Sequence, residues 1–295
     1  MRQQIAFLPD GKRLHLQDGP IDLVIEAFGA EDARCRALDA AIARFATILD
    51  ELCTELPLLR APAANNAGRL EGPVARRMQD CVAPFAGENF ATPMAAVAGA
   101  VADAILGAMR AAAPDLERAY VNNGGDIALH LSPGQEFSVV LIDRPDCPAR
   151  LATAAIRAGD GIGGIATSGW RGRSFSLGIA DAVTVLAASA PEADVAATLI
   201  ANAIDLPDHP GIVRMPANSL QPDSDLGARP VTRAVPSLAQ DEIATALARG
   251  IAFAGSCLAR GLIAAASLHL QGTTRMIGLP LASPGATAQR MLVHA

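Results

Sequence analysis

The sequence predicts a mixed α/β or α+β fold built in layers, and three observations carry that expectation. Runs that alternate apolar and polar residues, as half-buried strands do, are interleaved with runs that repeat every three or four residues, as one-sided helices do. A composition that is 51% hydrophobic and 18% charged supplies enough apolar surface for a sizeable core. The 295 residues hold no clear linker, so 1–295 reads as a single unit, with two intimate lobes as the variant. Aromatic residues are only 3% of the chain, which leaves packing to Ala, Leu, Val and Ile.

Taken in order, the chain opens on a hairpin. Leu14-His15-Leu16 alternates, Asp18-Gly19 turns, and Ile21 to Phe28 returns, with Pro20 at the strand entrance where its missing N–H is tolerated. Leu38, Ala41, Phe45, Ile48, Leu52 and Leu56 then recur on one helical stripe that Pro57 helps to end. Residues 61–73, rich in Ala, Asn, Gly and Pro, read as a loop. Thr92-Pro93 predicts a helix start, an N-cap hydroxyl followed by proline at the first helical position. Met94, Val97, Val101, Ile105 and Met109 would be buried, while Ala95, Ala96, Gly99, Ala100 and Ala102 keep the rest smooth enough to meet a backbone or a flat ligand. Strands are predicted at 119–121, 127–131 and 137–142. A further pair, 164–167 and 175–187, is joined by the polar turn Ser168–Ser174. A helix over 191–204 follows, then an irregular, proline-rich excursion over 207–236 containing Asp223-Ser224-Asp225 and Gly227. The last helix runs from 240 to about 266, and 267–271 reads as a closing strand.

The bulk properties exclude some classes of function. A formal charge of −6 argues against a nucleic-acid partner, which needs a concentrated basic face. No uninterrupted apolar run reaches the ~20 residues of a spanning helix, and the first ten residues lack the apolar core of a signal peptide. The cysteines at 35, 53, 81, 147 and 257 form no CxxC pair and read as reduced thiols. The expectation is a cytoplasmic protein whose partners are a small anionic molecule and, as a separate expectation, further copies of itself. The histidines are isolated, with no HxH or HxxxH pairing, and His15, His130 and His269 fall in alternating strand patterns.

Three segments can carry chemistry. In Val121-Asn122-Asn123-Gly124-Gly125-Asp126-Ile127, adjacent glycines permit positive φ and a close ligand. Their N–H groups can form an anion nest, and Asn122, Asn123 and Asp126 can bond a heterocycle or ribose. A plain Asn-Gly hairpin turn explains the same residues equally well. In Ser168-Gly169-Trp170-Arg171-Gly172-Arg173-Ser174, the arginines can grip carboxylate or phosphate, and the only Trp can stack on a flat ring. A solvated hairpin tip is the alternative, and no histidine stands near to activate a serine. Asp194 and Thr198, four apart on one helix face, are hard oxygen donors of the kind Mg²⁺ takes, although an acid near a helix start is also favoured by the dipole alone.

Together these segments resemble the ApbE-type flavin transferases. Met94-Ala95-Ala96-Val97-Ala98-Gly99-Ala100-Val101-Ala102-Asp103 is similar to the family's small-residue helix, and Asn122-Asn123-Gly124-Gly125-Asp126 to its Asn-x-Gly-Gly-Asp signature. Val183-Thr184-Val185, followed by Ala193-Asp194-Val195-Ala196-Ala197-Thr198, is similar to its Val-Thr-Val strand and Ala-Asp-x-x-Ala-Thr helix, in the same order. The resemblance implies an α+β, T-fold-related architecture. It also implies Mg²⁺ held by Asp194, Thr198 and the main chain of Ala98, with FAD lying against the double-glycine bend. Ser168, Gly169 and Trp170 would complete the cofactor side, as Asn122, Asn123, Gly124 and Gly125 do. Those transferases cleave the FAD pyrophosphate and attach FMN to a protein threonine or serine. Two departures stand out: Gly99 where the transferases carry lysine, and Ser176-Leu177-Gly178-Ile179-Ala180-Asp181 in place of their His-x-x-Asp-Pro segment. This pattern is closer to the family's uncharacterised cytosolic relatives. The expectation is an ApbE-like enzyme that binds FAD or a related anion with Mg²⁺. The alternatives are a hydrolase or isomerase of a carboxylate substrate, with Arg171 and Arg173 as grips and Asp126 or Asp181 as acid/base, and a non-catalytic flavin-binding protein.

Overall fold

A computed structural model of the chain describes residues 3–66, 68–87, 89–142 and 150–278. Its frame is one nine-stranded sheet in the order β1 (Gln4–Phe7), β2 (Leu14–Asp18), β3 (Ile21–Phe28), β4 (Arg118–Asn123), β5 (Asp126–Leu131), β8 (Gly164–Ser168), β9 (Ala182–Ala187), β12 (Ala265–Leu270), β13 (Thr273–Gly278). Every neighbouring pair is antiparallel. Two ribbons stand apart from it: β6 (Glu136–Ile142) with β7 (Arg150–Arg157), and β10 (Val213–Pro216) with β11 (Pro230–Ala234). The helices are α1 (Glu31–Thr54), α2 (Leu56–Leu59), α3 (Pro73–Val82), α4 (Val97–Ala112), α5 (Ala190–Ala203), α6 (Ala217–Leu220) and α7 (Gln240–Ala259). The architecture is therefore α+β, the layered mix that the sequence predicts.

Alternation decides which face each strand residue serves. Leu14, Leu16, Leu23 and Ile25 are buried in the main core beneath the helices, joined by the stripe Ala37, Ala41, Phe45 and Ile48 of α1. The opposite face carries a smaller core, in which Phe137, Val139 and Ile156 of the β6–β7 ribbon meet Tyr120, Ile127, Leu129, Ile165 and Leu186. Two segments, Pro93–Ala112 and Gln240–Ala259, have the length and mean hydropathy of membrane-crossing helices, and both pack against the protein's own helices and strands.

The centre of the helical layer is tight because it is built from small residues. A methyl group at Gly99 of α4 would stand 2.4 Å from the Ala190 carbonyl oxygen at the start of α5, so only glycine permits this crossing. Gly164 of β8 is pressed in the same way against the main chain of Ser189 and Ala190.

Several element boundaries differ from the sequence expectation, each for a physical reason. Residues 73–82 form α3, opened by Pro73 at the first helical position and burying Val74, Met78, Cys81 and Val82. A short 3₁₀ turn, Pro93–Ala96, precedes α4, and the Thr92 hydroxyl donates to Asp225 rather than capping the helix. The stretch 175–181 is not strand. Gly178 lies against the Ala201 carbonyl, the Ile179 N–H donates to Ile204 O, and β9 begins only at Ala182. The last helix stops at Ala259 because Gly261 turns the chain at φ +70°. A further edge strand, β13, follows β12.

The excursion 207–236 is an arm made of the β10–β11 ribbon, with α6 and a turn at its far end. Arg214 fastens its base by donating to the Leu177 carbonyl and the Asp205 carboxylate, and Thr232 N–H donates to Ser176 O at 2.9 Å. Arg60 holds Asp223 at 2.6 Å near the tip. Cys35 and Cys53 are exposed free thiols, and Cys81 and Cys257 buried ones. Cys147 and His294 lie outside the described residues.

Candidate functional site

The double-glycine bend is a two-residue hairpin loop: Asn123 ending β4 pairs with Asp126 opening β5, and Gly124 and Gly125 take φ of +67° and +116°. Its asparagines are engaged with the protein itself. Asn122 Oδ1 accepts the Gly125 N–H at 2.9 Å, and Asn123 Nδ2 donates to the Ala98 carbonyl at 3.1 Å. The bend is thereby tied to the first turn of α4.

That first turn has no cap of its own, since Ala96 stands at the capping position. Asp194 supplies one from α5: its Oδ2 accepts the Gly99 N–H at 3.0 Å, with the Ala98 N–H also directed at it. The glycine-only crossing is what brings this carboxylate within reach. Thr198, one turn further along α5, lines the same hollow as Asp194, Asp126 and Ala98, a cavity of about 300 Å³.

The electrostatics of this hollow are unfavourable as it stands. Burial pushes the Asp126 carboxyl up to about 7, against a smaller opposing effect of a main-chain hydrogen bond from Thr167. Burial also raises Asp194 well above the ordinary range, the Asp126 charge raises it further, and the Gly99 and Ala98 N–H groups pull the other way. Among the described residues, neither carboxylate is paired with a basic side chain. No group of three or more His, Cys, Asp or Glu stands together there either. A cation here would rest on two carboxylates, a hydroxyl, a carbonyl and its own waters, which fits Mg²⁺ and does not fit zinc.

The polar turn 168–174 divides between two surroundings. Arg173 lines the cavity mouth, 73% exposed, with its guanidinium close over Gly124 and 3.9 Å from Asp22. Ser168, Gly169, Trp170 and Arg171 do not line it. Trp170 Nε1 and Arg171 Nε both donate to Asp181 Oδ1, at 3.2 and 2.7 Å, and the Arg171 guanidinium covers the Trp170 ring. Asp181 is 3% exposed, and its other oxygen takes the Gln271 N–H at 2.7 Å. Gly169 passes against the Asp181 carbonyl, leaving no room for a side chain. This half of the turn is a closed cluster that fastens the β8–β9 connection to the end of β12. The structure thus brings Ala98, Asp126, Arg173, Asp194 and Thr198 to one cavity and leaves Asn122, Asn123, Gly124, Gly125, Ser168, Gly169, Trp170, Arg171 and Asp181 outside its lining.

A family model described as AbpE bacteria matches residues 5–276 of the chain. The chain belongs to that family. Its curated relatives include a UPF0280 protein of Methanopyrus kandleri, 38% identical over 130 residues, which are 44% of this chain and 48% of the relative. A UPF0280 protein of Methanothrix thermoacetophila is 40% identical over 113 residues, 38% of this chain and 46% of the relative. The chain thus spans about half the length of the curated relatives it matches. Among solved structures, an ApbE protein from Thermotoga maritima is similar at a TM-score of 0.34 and 13% identity, over 68% of this chain and 86% of that one. The family membership places the chain in the ApbE-like superfamily that its motifs resemble.

For this AbpE-family chain, sequence reasoning missed part of the cavity lining. Asn202, one turn beyond Thr198 on α5, lines it with Phe90, Phe175 and Arg60, together with 221 and 223–226 from the arm. The one visible signal was Asp223-Ser224-Asp225, acidic and hydroxylic residues clustered inside an otherwise irregular segment.

Proposed function

We propose that the chain binds a phosphate-bearing ligand, FAD or a related anion, together with Mg²⁺ in this cavity. The observation that carries the reading is the pair Asp126 and Asp194, both raised, without basic partners among the described residues, and joined by Thr198 at one hollow. Two such carboxylates repel each other, and a divalent cation between them and a phosphate removes the conflict. Bound Mg²⁺ would neutralise phosphate oxygens and stabilise charge developing at phosphorus. The chain's own part is to fix the donors: Gly99 N–H orients Asp194, Asn123 ties the double-glycine bend to α4, and Arg173 offers positive charge for phosphate, while Arg60 is paired with Asp223.

Gly99 supports a second reading. The transferases that the chain resembles carry lysine at this position, and here the Ala190 and Pro191 backbone leaves no room for any side chain. That favours a flavin-binding protein, or an enzyme acting on a small anionic molecule, over FMN transfer to protein.

Thermal denaturation tests the proposal with FAD and Mg²⁺, separately and together, on the parent and on Asp194→Asn, which keeps an acceptor for Gly99. The expected result is stabilisation by the combination that is largely lost in the variant. No stabilisation of the parent, or an undiminished one in Asp194→Asn, overturns it. Incubation with an acceptor protein, read by mass for covalent FMN, separates transfer from binding.

A further inference from the structure

Aromatic residues make up 3% of this chain, yet Phe90 and Phe175 both line the one cavity described. Phe90 is half-buried, and the arm reaches over to it: the guanidinium of Arg229 lies on its ring, Cζ 3.1 Å from the centroid. Phe90 lines the cavity and Arg229 does not. The cation is held in place by its own segment. Its carbonyl accepts the Ala217 N–H at 2.9 Å, and its Nη1 reaches the Leu226 carbonyl at 3.4 Å. Leu226 and Asp225 of the same arm also line the cavity, and Asp225 accepts from Thr92, two residues beyond Phe90. A guanidinium stacked on one side of a ring fixes its plane. A fixed, half-open aromatic face is a surface on which another flat ring stacks.

We propose that Phe90, backed by Arg229 of the arm, is the platform on which the cavity seats a flat heteroaromatic ring. The arm then has a role in binding: it supplies the backing of the ring platform as well as a wall. Trp170, the residue that the sequence singled out for stacking, does not line the cavity, and its Nε1 donates to Asp181 in the closed cluster. This inference rests on the function proposed above for the ligand's anionic end, and its own content is the ring.

Two probes keep the parts separable: riboflavin, which has the ring and no phosphate, and inorganic pyrophosphate with Mg²⁺, which has the phosphates and no ring. Calorimetric titration of each into the parent, Phe90→Leu, Arg229→Gln and Asp194→Asn reads both ends of the cavity. Phe90→Leu is expected to weaken riboflavin about tenfold more than it weakens Mg²⁺-pyrophosphate, and Arg229→Gln to act in the same sense but less. Asp194→Asn is expected to do the reverse. A parent that does not bind riboflavin, or a Phe90→Leu protein that binds it as tightly as the parent, overturns the platform. Riboflavin binding that depends on Phe90 in a parent that ignores Mg²⁺-pyrophosphate supports the platform and sinks the metal–phosphate reading. Far-ultraviolet circular dichroism of each variant shows that a loss is not unfolding.

Discussion

Asp126 and Asp194 set a pH dependence that the rest of the molecule must absorb. A carboxyl whose pKa rises on folding, here from 3.8 to about 7 for Asp126, holds its proton in the native state after the unfolded chain has lost it. Between those values the native state binds more protons, so stability falls as pH rises from about 4 through about 7. Asp194 shifts in the same direction and adds to the slope. Metal-free protein is therefore expected to melt lower at pH 8 than at pH 6. Asp194→Asn is expected to raise the pH 8 midpoint by roughly 2–4 °C, about 1 kcal/mol, and to flatten the dependence. Melting curves in chelator across this range check both points, and an Asn variant that melts lower at every pH removes the conflict from the picture. Asp194 and Thr198 were legible because a spacing of four on a helix needs no tertiary knowledge. The closed cluster around Asp181 was not, because its fastening N–H belongs to Gln271, ninety residues further on in the turn after β12.

At the level of elements, the site depends on how closely α4 and α5 cross. Gly99→Ala would place a methyl 2.4 Å from the Ala190 carbonyl, and backbone on both sides cannot yield cheaply. The expected cost is about 1–3 kcal/mol in urea denaturation, with weaker Mg²⁺ binding because the Gly99 N–H moves off Asp194. An alanine variant with parental stability and parental metal affinity would show that the crossing has slack. The arm makes a different prediction. Arg214 is the donor to both Leu177 O and Asp205, whose side chain is 18% exposed, so Arg214→Ala leaves a mostly buried carboxylate unpaired. A local loss of about 1–3 kcal/mol is expected. It should appear as at least tenfold faster amide exchange in β10 and β11 with little change in β3 to β5. The helices α1 and α4 were readable from their periodic stripes and α5 from the proline at its start, whereas the arm was not, since its order comes from side chains of Arg60, Arg214 and Arg229 reaching other parts of the chain.

Across the whole molecule, the cavity is where distant stretches of sequence meet: Arg60, the first turn of α4, the opening of β5, Arg173, α5, and the arm at 221 and 223–226. The hairpins β2–β3 and β4–β5 join strands that adjoin in the chain, so those pairings could be read from local patterns, whereas β3 and β4 pair across the intervening α1 to α4. The pairings β5–β8 and β9–β12 skip intervening elements, and no local pattern announces them. A ligand held by all of these stretches binds the native state and not the unfolded chain. It should therefore raise the stability of the entire fold, by about 2.7 kcal/mol when free ligand is a hundred times its Kd. For a chain of this size that is roughly 5–10 °C in the melting midpoint. FAD with Mg²⁺ at that excess is expected to move a single transition upward by this amount, and removal of the metal by chelator to return it. Tryptophan fluorescence from Trp170, fastened to the end of β12 outside the cavity, and circular dichroism of the helices should then report the same midpoint. If the fluorescence transition stays fixed while the helical one shifts, binding stabilises only part of the molecule, and the cavity is not the junction that the geometry makes it.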